Sequence, residues 1–253
     1  MADIIEGKNP VFEALSNGRP INKVLIARGS GQHTATGKIV DLSYRRKIPV
    51  EFVDRLFIDR LAQTSAHQGV IAYTSAKEYI AWEDLLVISS NRKEPPLYCI
   101  LDGIEDPYNM GAIIRTAEAS GTHGLIIRSR RAVGLTSTVA KAAAGAVEYV
   151  PVARVSNVSQ TMLALKKRNV WIVGVDQIGG ISYDQVDFTL PTAIVIGSEG
   201  RGLSDLVKQR CDSLASIPMA GNITSLNASI AAALVMYEAF RQRKHSVNLR
   251  KEE

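Results

Sequence analysis

The chain has 253 residues, of which 46% are hydrophobic and 22% are charged, and its formal net charge is +5 at pH 7. These proportions are typical of a soluble globular protein with room for one large domain or two ordinary ones, and they exclude wholesale disorder. The excess of positive charge favours a polyanionic partner such as RNA, because a basic surface attracts phosphate groups.

We expect no segment that directs the chain into or across a membrane. It begins Met-Ala-Asp-Ile-Ile-Glu, without the basic and apolar regions of a signal peptide. The longest strongly apolar stretch, residues 228–237, is shorter than the roughly 20 residues of a membrane-spanning helix. Cys99 and Cys211 lack the spacing of a zinc site, and both are expected as buried, reduced thiols in strand-like segments. We therefore expect a soluble, cytoplasmic protein without a metal.

Short branched runs alternate with helix-like runs in the first third of the chain. Strands are predicted at residues 23–27, 50–53 and 69–74, and helices at residues 9–17, 36–46 and 54–64. His67 is expected in a turn before the last strand, without a catalytic role. Residues 77–96 lose the pattern and end in two prolines, which favours a linker. The sequence therefore predicts a small α/β domain over residues 1–76 and a linker over residues 77–96.

A second α/β domain is predicted from residue 97 to residue 245. Its strands are nearly continuous apolar runs, as expected for parallel strands that are covered on both faces. The predicted elements are strands at 97–102, 124–128, 170–175 and 193–197, and helices at 111–120, 137–144, 158–167, 203–210 and 225–244. This alternation predicts a parallel sheet with right-handed crossovers. Residues 246–253 form a charged tail that is expected to fray.

The first candidate site segment is the turn-rich loop that follows residue 102. In open α/β sheets, ligands bind beyond the carboxyl ends of the strands. Asn109 is suited to cap the helix that follows this loop. Arg115 lies less than two turns into that helix, from where it can reach back toward the loop. The alternatives are a plain helix cap for Asn109 and a solvated or salt-bridged side chain for Arg115.

Two later segments have a similar position at the end of a strand or the start of a helix. Residues 197–202 are rich in glycine, which lets a backbone approach a ligand closely, although they match no nucleotide-binding pattern. Ser225, Leu226 and Asn227 open the most apolar helix of the chain. The amide of Asn227 needs hydrogen-bond partners in that setting, and a helix N-terminus can hold a polar ligand. Ordinary turns and caps remain the alternative.

In their order and spacing, the three segments resemble the signature motifs of the SpoU/TrmH family of RNA 2′-O-methyltransferases, within the SPOUT class. The resemblance covers residues 97 to about 244. Residues 5–15 and 66–70 resemble the family's N-terminal substrate-binding domain, of the ribosomal-protein L30e type. The likeness is strongest to the bacterial 23S rRNA guanosine-2′-O-methyltransferases. It implies a parallel sheet whose C-terminal part forms a trefoil knot, a homodimer, and S-adenosyl-L-methionine as the cofactor.

The resemblance also implies roles for individual residues. Cofactor contacts are expected from Gly197, Ile217, Met219 and Leu226, and active-site roles from Asn109, Arg115, Glu199, Ser225 and Asn227. Because an arginine is effectively always protonated, we interpret Arg115 as stabilising charge on the ribose oxygen or holding an adjacent phosphate, not as a base. The two asparagines and Ser225 are expected to orient the ribose and Arg115. Glu199 is expected to position Arg115 or a backbone amide.

The expected function is methylation of a ribose 2′-hydroxyl in structured RNA, with a guanosine of 23S rRNA as the preferred target. A tRNA, or an rRNA site that confers antibiotic resistance, is an alternative with the same chemistry. A non-catalytic RNA-binding protein is the alternative of a different class. The basic clusters at residues 45–47 and 128–131 are candidates either for phosphate contacts or for solvated faces.

Overall fold

The computed structural model describes residues 3–29, 35–62, 64–74 and 77–249. The chain divides into two compact units. The first comprises Met1–Glu78 and Gly134–Tyr149, and the second comprises Tyr79–Val133 and Val150–Glu253. The first unit therefore includes a segment that the sequence places in the second domain.

The described residues form strands β1 to β11 and helices α1 to α9, together with short 3₁₀ helices at Ala146–Glu148 and Tyr183–Gln185. In chain order, the first seven elements are β1 (Asp3–Glu6), α1 (Lys8–Ser16), β2 (Ile21–Ala27), α2 (Ala35–Arg45), β3 (Val50–Val53), α3 (Arg55–Leu61) and β4 (Val70–Thr74). They are followed by α4 (Trp82–Arg92), β5 (Leu97–Asp102), α5 (Pro107–Ala119), β6 (Gly124–Arg128), α6 (Ser137–Ala142) and β7 (Val152–Val155). The remaining elements are α7 (Val158–Lys166), β8 (Trp171–Val175), β9 (Ile181–Ser182), β10 (Thr192–Gly197), α8 (Asp205–Arg210), β11 (Ser213–Ser216) and α9 (Ala228–Leu249).

The first unit is built on a four-stranded sheet in the order β1-β4-β2-β3. Strand β4 runs antiparallel to both of its neighbours, and β2 and β3 are parallel. One core cluster gathers Val11, Leu15 and Ile39 from α1 and α2 against the sheet, and a smaller cluster contains Ile58 of α3. The predicted strands and helices of this region are confirmed, and β1 adds a strand that the sequence pattern does not reveal.

Two polar residues of the first unit have structural partners. His67 is buried in the turn before β4, as predicted; its Nδ1 accepts a hydrogen bond from the Gly69 amide at 3.1 Å, and its Nε2 lies 2.9 Å from the Asp59 carboxylate. Arg46, in the basic cluster 45–47, donates hydrogen bonds to the backbone carbonyls of Leu15 at 2.6 Å and Arg19 at 3.3 Å. These bonds give Arg46 a role in holding the unit together.

The second unit is built on a seven-stranded sheet in the order β7-β6-β5-β10-β8-β11-β9, in which every pair is parallel. All residues of the two central strands, β5 and β10, are buried. Burial on both faces explains their continuous apolar sequences. The predicted parallel α/β sheet is confirmed, and the strand order is consistent with the trefoil knot that the resemblance implies.

Several segments of the second unit differ from the sequence-based expectations. The segment predicted as a linker contains helix α4, whose Leu85 is fully buried. Strands β7, β9 and β11 appear where no strand is predicted. Helix α9 continues to Leu249, so residues 246–249 of the predicted tail are helical, and the remaining tail residues lie outside the described part. No helix in the described part of the chain has the length and apolar character that crossing a membrane requires.

The two cysteines are free thiols in different settings. Cys99 is buried within β5, as predicted, and burial raises its pKa to about 12. Cys211 is only half-buried and caps the C-terminus of α8, so its predicted strand position is wrong.

His123, directly before β6, is a buried histidine of the second unit. Its Nδ1 accepts a hydrogen bond from the Leu97 amide at 3.1 Å, and its Nε2 lies 3.3 Å from the exposed Glu94 carboxylate. Burial lowers the pKa of His123 to about 4, and the positive charges of Arg92 and Arg243 act in the same direction. The folded protein therefore holds this imidazole in its neutral form.

We expect this histidine to make the protein less stable as the pH falls from about 6.5 to about 4. In that window an unfolded histidine is protonated while the folded one is not, so the unfolded state binds more protons and the free energy of unfolding decreases. The difference in pKa corresponds to about 3 kcal/mol at most. Urea unfolding of wild type and His123→Gln at pH 7 and pH 4.5 measures it. An identical loss of stability in both proteins would contradict the assignment.

Candidate active site

The three motifs meet at one edge of the parallel sheet, where the central strands end. The register pairs Gly197 of β10 with Asp102 of β5, and Ile196 of β10 with Val175 of β8. Because parallel strands in this register end side by side, the loops that follow them converge.

Asn109 belongs to the first turn of α5 and does not cap it. Helix α5 begins at Pro107, a residue well suited to a first helical position. Its N-cap is Asp106, whose carboxylate accepts a hydrogen bond from the Asn109 backbone amide at 2.8 Å. The predicted capping role of Asn109 is therefore wrong, because Asp106 takes it. This arrangement leaves the Asn109 side chain available for other contacts.

Asn109, Glu199 and Asn227 form a hydrogen-bonded group that we call the Asn–Glu cluster. Nδ2 of Asn109 donates to Oε1 of Glu199. Nδ2 of Asn227 donates to Oδ1 of Asn109 at 3.0 Å and to Oε1 of Glu199 at 3.2 Å. One residue comes from each motif, so the fold unites side chains that are 90 and 118 positions apart along the chain.

Asn227 also caps helix α9. Its Oδ1 accepts hydrogen bonds from the Ser229 amide at 2.9 Å, the Ser229 hydroxyl at 2.6 Å and the Ile230 amide at 3.3 Å. The Asn227 side chain therefore has both roles. Its carbonyl oxygen caps the helix, and its amino group donates the hydrogen bonds of the Asn–Glu cluster. The helix fixes the orientation of the Asn227 amide in the cluster.

Arg115 lies apart from the Asn–Glu cluster. Its side chain is exposed on α5 and forms no hydrogen bond or ion pair with any residue that the structure describes. Among the described residues, Glu199 contacts neither Arg115 nor a backbone amide, the two partners expected for it; its Oε1 accepts from the two asparagines instead. The positive charge of Arg115 is thus open to a partner from outside the chain.

A large cavity of about 700 Å³ lies at the same edge of the sheet. It is bounded by the segments that follow β8 and β10 and by residues 216–226. Every residue for which a cofactor contact is predicted lines it, as do two of the predicted active-site residues: Gly197, Ile217, Met219, Leu226, Glu199 and Ser225. The Asn–Glu cluster therefore borders the cavity through Glu199.

The glycine-rich loop after β10 forms one wall of this cavity. The Ser198 amide donates to the Gly202 carbonyl at 3.0 Å, and the Gly202 amide donates to the Ser198 carbonyl at 2.9 Å. This tight closure requires a left-handed backbone at Gly202, with φ of +65°. The loop folds back on itself and exposes its backbone to the cavity.

Asp176 and Lys208 also line the cavity, and sequence reasoning did not find them. Asp176 directly follows β8, and its buried carboxylate lies 2.9 Å from the Lys208 ammonium. Burial alone would raise the pKa of Asp176, but the hydrogen bonds from Lys208 and the Ile178 amide hold it below its usual value. The available signal was an acidic residue directly after a buried apolar strand, comparable to Asp102, the last residue of β5.

The polar groups of the site are amides, carboxylates, hydroxyls and arginine guanidinium groups. Among the described residues, no group of three or more His, Cys, Asp or Glu side chains is arranged to hold a metal ion.

Family models match almost the whole chain. The SpoU rRNA Methylase family matches residues 96–237, and the RNA 2′-O ribose methyltransferase substrate-binding family matches residues 4–80. The putative TrmH family tRNA/rRNA methyltransferase YacO of Bacillus subtilis is 45% identical over 241 residues, which cover 95% of this chain and 96% of that protein. A putative TrmH family tRNA/rRNA methyltransferase of Staphylococcus saprophyticus is 44% identical over 242 residues, with 96% of each chain covered.

Solved structures of similar proteins share this fold. The SpoU methyltransferase AviRb from Streptomyces viridochromogenes, in complex with the cofactor AdoMet, has a TM-score of 0.80 and 29% identity over 96% of this chain and 90% of that chain. An AdoMet-bound rRNA methyltransferase from Sinorhizobium meliloti has a TM-score of 0.76 and 26% identity over 95% of this chain and 87% of that chain. The chain therefore belongs to the SpoU/TrmH family of RNA methyltransferases.

Proposed function

We propose that this protein transfers a methyl group from S-adenosylmethionine to a ribose 2′-hydroxyl of structured RNA. The observation that carries the proposal is the convergence of the three motifs: the Asn–Glu cluster borders the large cavity, and the cavity is lined by Gly197, Ile217, Met219 and Leu226. A pocket for the methyl donor and a polar group for the acceptor thus lie side by side.

The large cavity suits S-adenosylmethionine in size and chemistry. Its volume of about 700 Å³ lies in the range of small-molecule sites. The apolar side chains of Ile217 and Leu226 suit a purine ring, and the glycine backbone at Gly197 suits the polar edge of a nucleoside. The Glu199 carboxylate favours the cationic ammonium and sulfonium groups, whereas the charge of Asp176 is balanced by Lys208 in the same wall. When bound, this cofactor supplies an electrophilic methyl group.

We assign the Asn–Glu cluster to orientation of the acceptor ribose. Glu199 and the α9 N-terminus hold the two asparagine amides in a fixed arrangement before substrate arrives. Preorganised polar groups cost no reorganisation during the reaction, and alignment of the hydroxyl with the methyl group lowers the barrier. Ser225, exposed on the cavity wall, contributes a hydroxyl to the same task.

Arg115 supplies positive charge to the acceptor side. An arginine is effectively always protonated, so it stabilises the developing ribose oxyanion or holds an adjacent phosphate. The hydroxyl proton does not pass to Arg115 but leaves to water as the methyl group moves from sulfur to oxygen. The Arg115 side chain is exposed and has no counter-ion among the described residues, which leaves the guanidinium free for an anionic substrate.

We further propose that the protein is a homodimer formed through an apolar surface on α9. Ile230, Leu234 and Tyr237, which we call the α9 stripe, are spaced to share one helix face and are 51%, 38% and 47% exposed. With Ala112 and Thr116 of α5 they line a cleft of about 930 Å³. A contiguous exposed apolar face of this kind is typical of a protein interface. Arg115 is exposed on α5 three residues after Ala112, a spacing that makes the two neighbours on the helix surface, so we expect the dimer to bring Arg115 near the interface.

Leu234→Glu is expected to weaken the dimer at least about 100-fold, because a carboxylate within an apolar interface loses its hydration. Multi-angle light scattering over a range of protein concentrations measures the dissociation. Val87→Glu, at an exposed apolar position on α4, is the matched control and should leave the mass unchanged. A Leu234→Glu protein that stays dimeric at the wild-type concentration would rule out this surface.

We propose a guanosine of 23S rRNA as the target, which makes this a cytoplasmic enzyme. The match of residues 4–80 to the substrate-binding family of RNA 2′-O ribose methyltransferases supports an RNA substrate. An Aquifex aeolicus TrmH/SpoU tRNA modifying enzyme aligns with only 65% of this chain at a TM-score of 0.55, whereas the rRNA methyltransferase from Sinorhizobium meliloti aligns with 95%.

Transfer of tritiated methyl groups to separated rRNA and tRNA tests the substrate. Label in 23S rRNA, mapped to a guanosine, is the expected result. Label confined to tRNA would overturn the rRNA assignment but not the chemistry. Binding of S-adenosylmethionine and RNA without label in either RNA would favour a non-catalytic RNA-binding protein.

A further inference from the structure

Residues 128–131, which we call the arginine loop, begin at the last residue of β6, at the edge of the sheet that carries the candidate active site. Strand β6 is the direct neighbour of β5. A Cβ placed on Gly103, just after β5, would lie 3.7 Å from the Arg131 carbonyl oxygen and 3.6 Å from the Ser198 Cβ. The arginine loop therefore packs beside the two segments that lead to Asn109 and Glu199.

Hydrogen bonds fix the backbone of the arginine loop at both ends. The Ser129 amide donates to the Val155 carbonyl at 2.8 Å, and the Ser129 carbonyl accepts from Nη2 of Arg154 at 2.8 Å. After the loop, the Val133 amide donates to the Ile104 carbonyl at 2.9 Å. The side chains of the arginine loop thus project from a backbone that hydrogen bonds fix in place.

The arginines of this loop differ in how their charge is balanced. Arg128 forms an ion pair with the buried Asp102 carboxylate and a hydrogen bond to the Ser204 hydroxyl at 3.3 Å. Arg130 and Arg131 are exposed, and neither forms an ion pair with a residue in the described ranges. The positive charges of Arg130 and Arg131 are therefore not balanced within the described residues, whereas that of Arg128 is balanced by Asp102.

A cleft of about 240 Å³ lies among these side chains. The three arginines line it together with the polar residues Ser156 and Asn157. No acidic side chain is present among the described residues that line it. A planar guanidinium presents donors that match phosphate oxygens in pairs, so this cleft favours a phosphate group.

We propose that the arginine loop binds backbone phosphates of the RNA strand that carries the target ribose. The inference rests on the proposed function for the identity of the RNA, and on the geometry for the place of contact. Contacts of this kind position a nucleic acid without reading its sequence. The loop therefore contributes to substrate affinity and not to methyl transfer itself.

The test compares two double variants that remove the same charge. Arg130→Ala/Arg131→Ala removes the unpaired charges of the loop, and Lys167→Ala/Arg168→Ala removes two exposed charges that precede β8, at the opposite edge of the sheet. Fluorescence anisotropy of the labelled protein, titrated with 23S rRNA transcribed in vitro or with bulk tRNA, gives the dissociation constant of the protein–RNA complex at several KCl concentrations. Calorimetry with S-adenosylmethionine and the thermal unfolding temperature report whether the fold and the cavity are intact.

For the loop variant we expect RNA affinity to fall about tenfold. The plot of log association constant against log KCl concentration should become less steep by about 1.4, as the loss of two phosphate contacts predicts. The KM of the loop variant for RNA should rise while kcat and cofactor affinity stay near wild type. The control variant should match wild type in every measurement. Equal affinity and salt slope in the loop variant and the control would overturn the proposal. Wild-type protein that binds RNA through the loop but transfers no methyl group would overturn the proposed function alone.

Discussion

Arg115→Ala is expected to lower the rate of methyl transfer by about 100- to 1,000-fold while leaving cofactor binding nearly unchanged. The loss corresponds to about 3–4 kcal/mol, as for other single groups that stabilise a developing oxyanion. Cofactor binding should persist because Arg115 does not line the large cavity. Single-turnover kinetics with labelled S-adenosylmethionine, together with calorimetry of cofactor binding, separate the two effects.

Glu118→Ala is the control for Arg115→Ala, because Glu118 is also exposed on α5. It should retain wild-type turnover. Methyl transfer at the wild-type rate by the Arg115→Ala protein would remove Arg115 from the active site. A parallel loss of cofactor affinity would instead indicate that the substitution disturbs the cavity.

Gly197→Ala is expected to disrupt the large cavity and to destabilise the protein. A Cβ at this position would lie 2.1 Å from the Gly202 carbonyl carbon and 2.4 Å from the Leu203 nitrogen, both of them backbone atoms. The glycine-rich loop must therefore shift, at a cost of about 1–3 kcal/mol or more. We expect cofactor affinity to fall at least about tenfold, because the same loop forms a wall of the cavity.

Gly180→Ala provides the matched control, since a Cβ there meets no atom within 4 Å. Chemical unfolding and cofactor calorimetry should give wild-type values for Gly180→Ala and large losses for Gly197→Ala. Wild-type stability and affinity in Gly197→Ala would show that the loop is not closed against Gly197 in solution.

The parallel sheet was predictable because burial on both faces leaves a direct trace in sequence. Strands such as β5 and β10 are apolar at nearly every position, and their fully buried residues include Ile100 and Ile194. Strand β11, with the sequence Ser-Leu-Ala-Ser, leaves no such trace. It is a strand because its backbone pairs with β8, and the pairing of Leu214 with Gly174 is a tertiary fact.

Helix α4 escaped prediction for a related reason. Its last residues, including Ser89 and Arg92, are polar and lead into two prolines, so the segment looks like a linker. Its helical state depends on burial of Leu85 against the sheet. A single fully buried side chain is too weak a periodic signal to identify a short helix from sequence.

The members of the candidate site were predictable, but their partners were not. Asn227 stands out as a polar residue at the start of an apolar helix, Asn109 as a residue suited to cap a helix, and Glu199 lies in a glycine-rich turn; the family resemblance joins the three into one site. Their mutual hydrogen bonds depend on the register of β5 and β10. Asp176 became recognisable only with Lys208 opposite it, because that contact joins the loop after β8 to helix α8.

Nucleoside analysis of RNA methylated by this protein tests the central claim most directly. 23S rRNA is incubated with the protein and S-adenosylmethionine carrying a labelled methyl group, digested to nucleosides, and analysed by mass spectrometry. The account predicts label on the ribose of a 2′-O-methylated nucleoside, with that product absent or reduced at least about 100-fold for Arg115→Ala. Label on a base, or no label in any RNA from a protein that binds the cofactor, would contradict it.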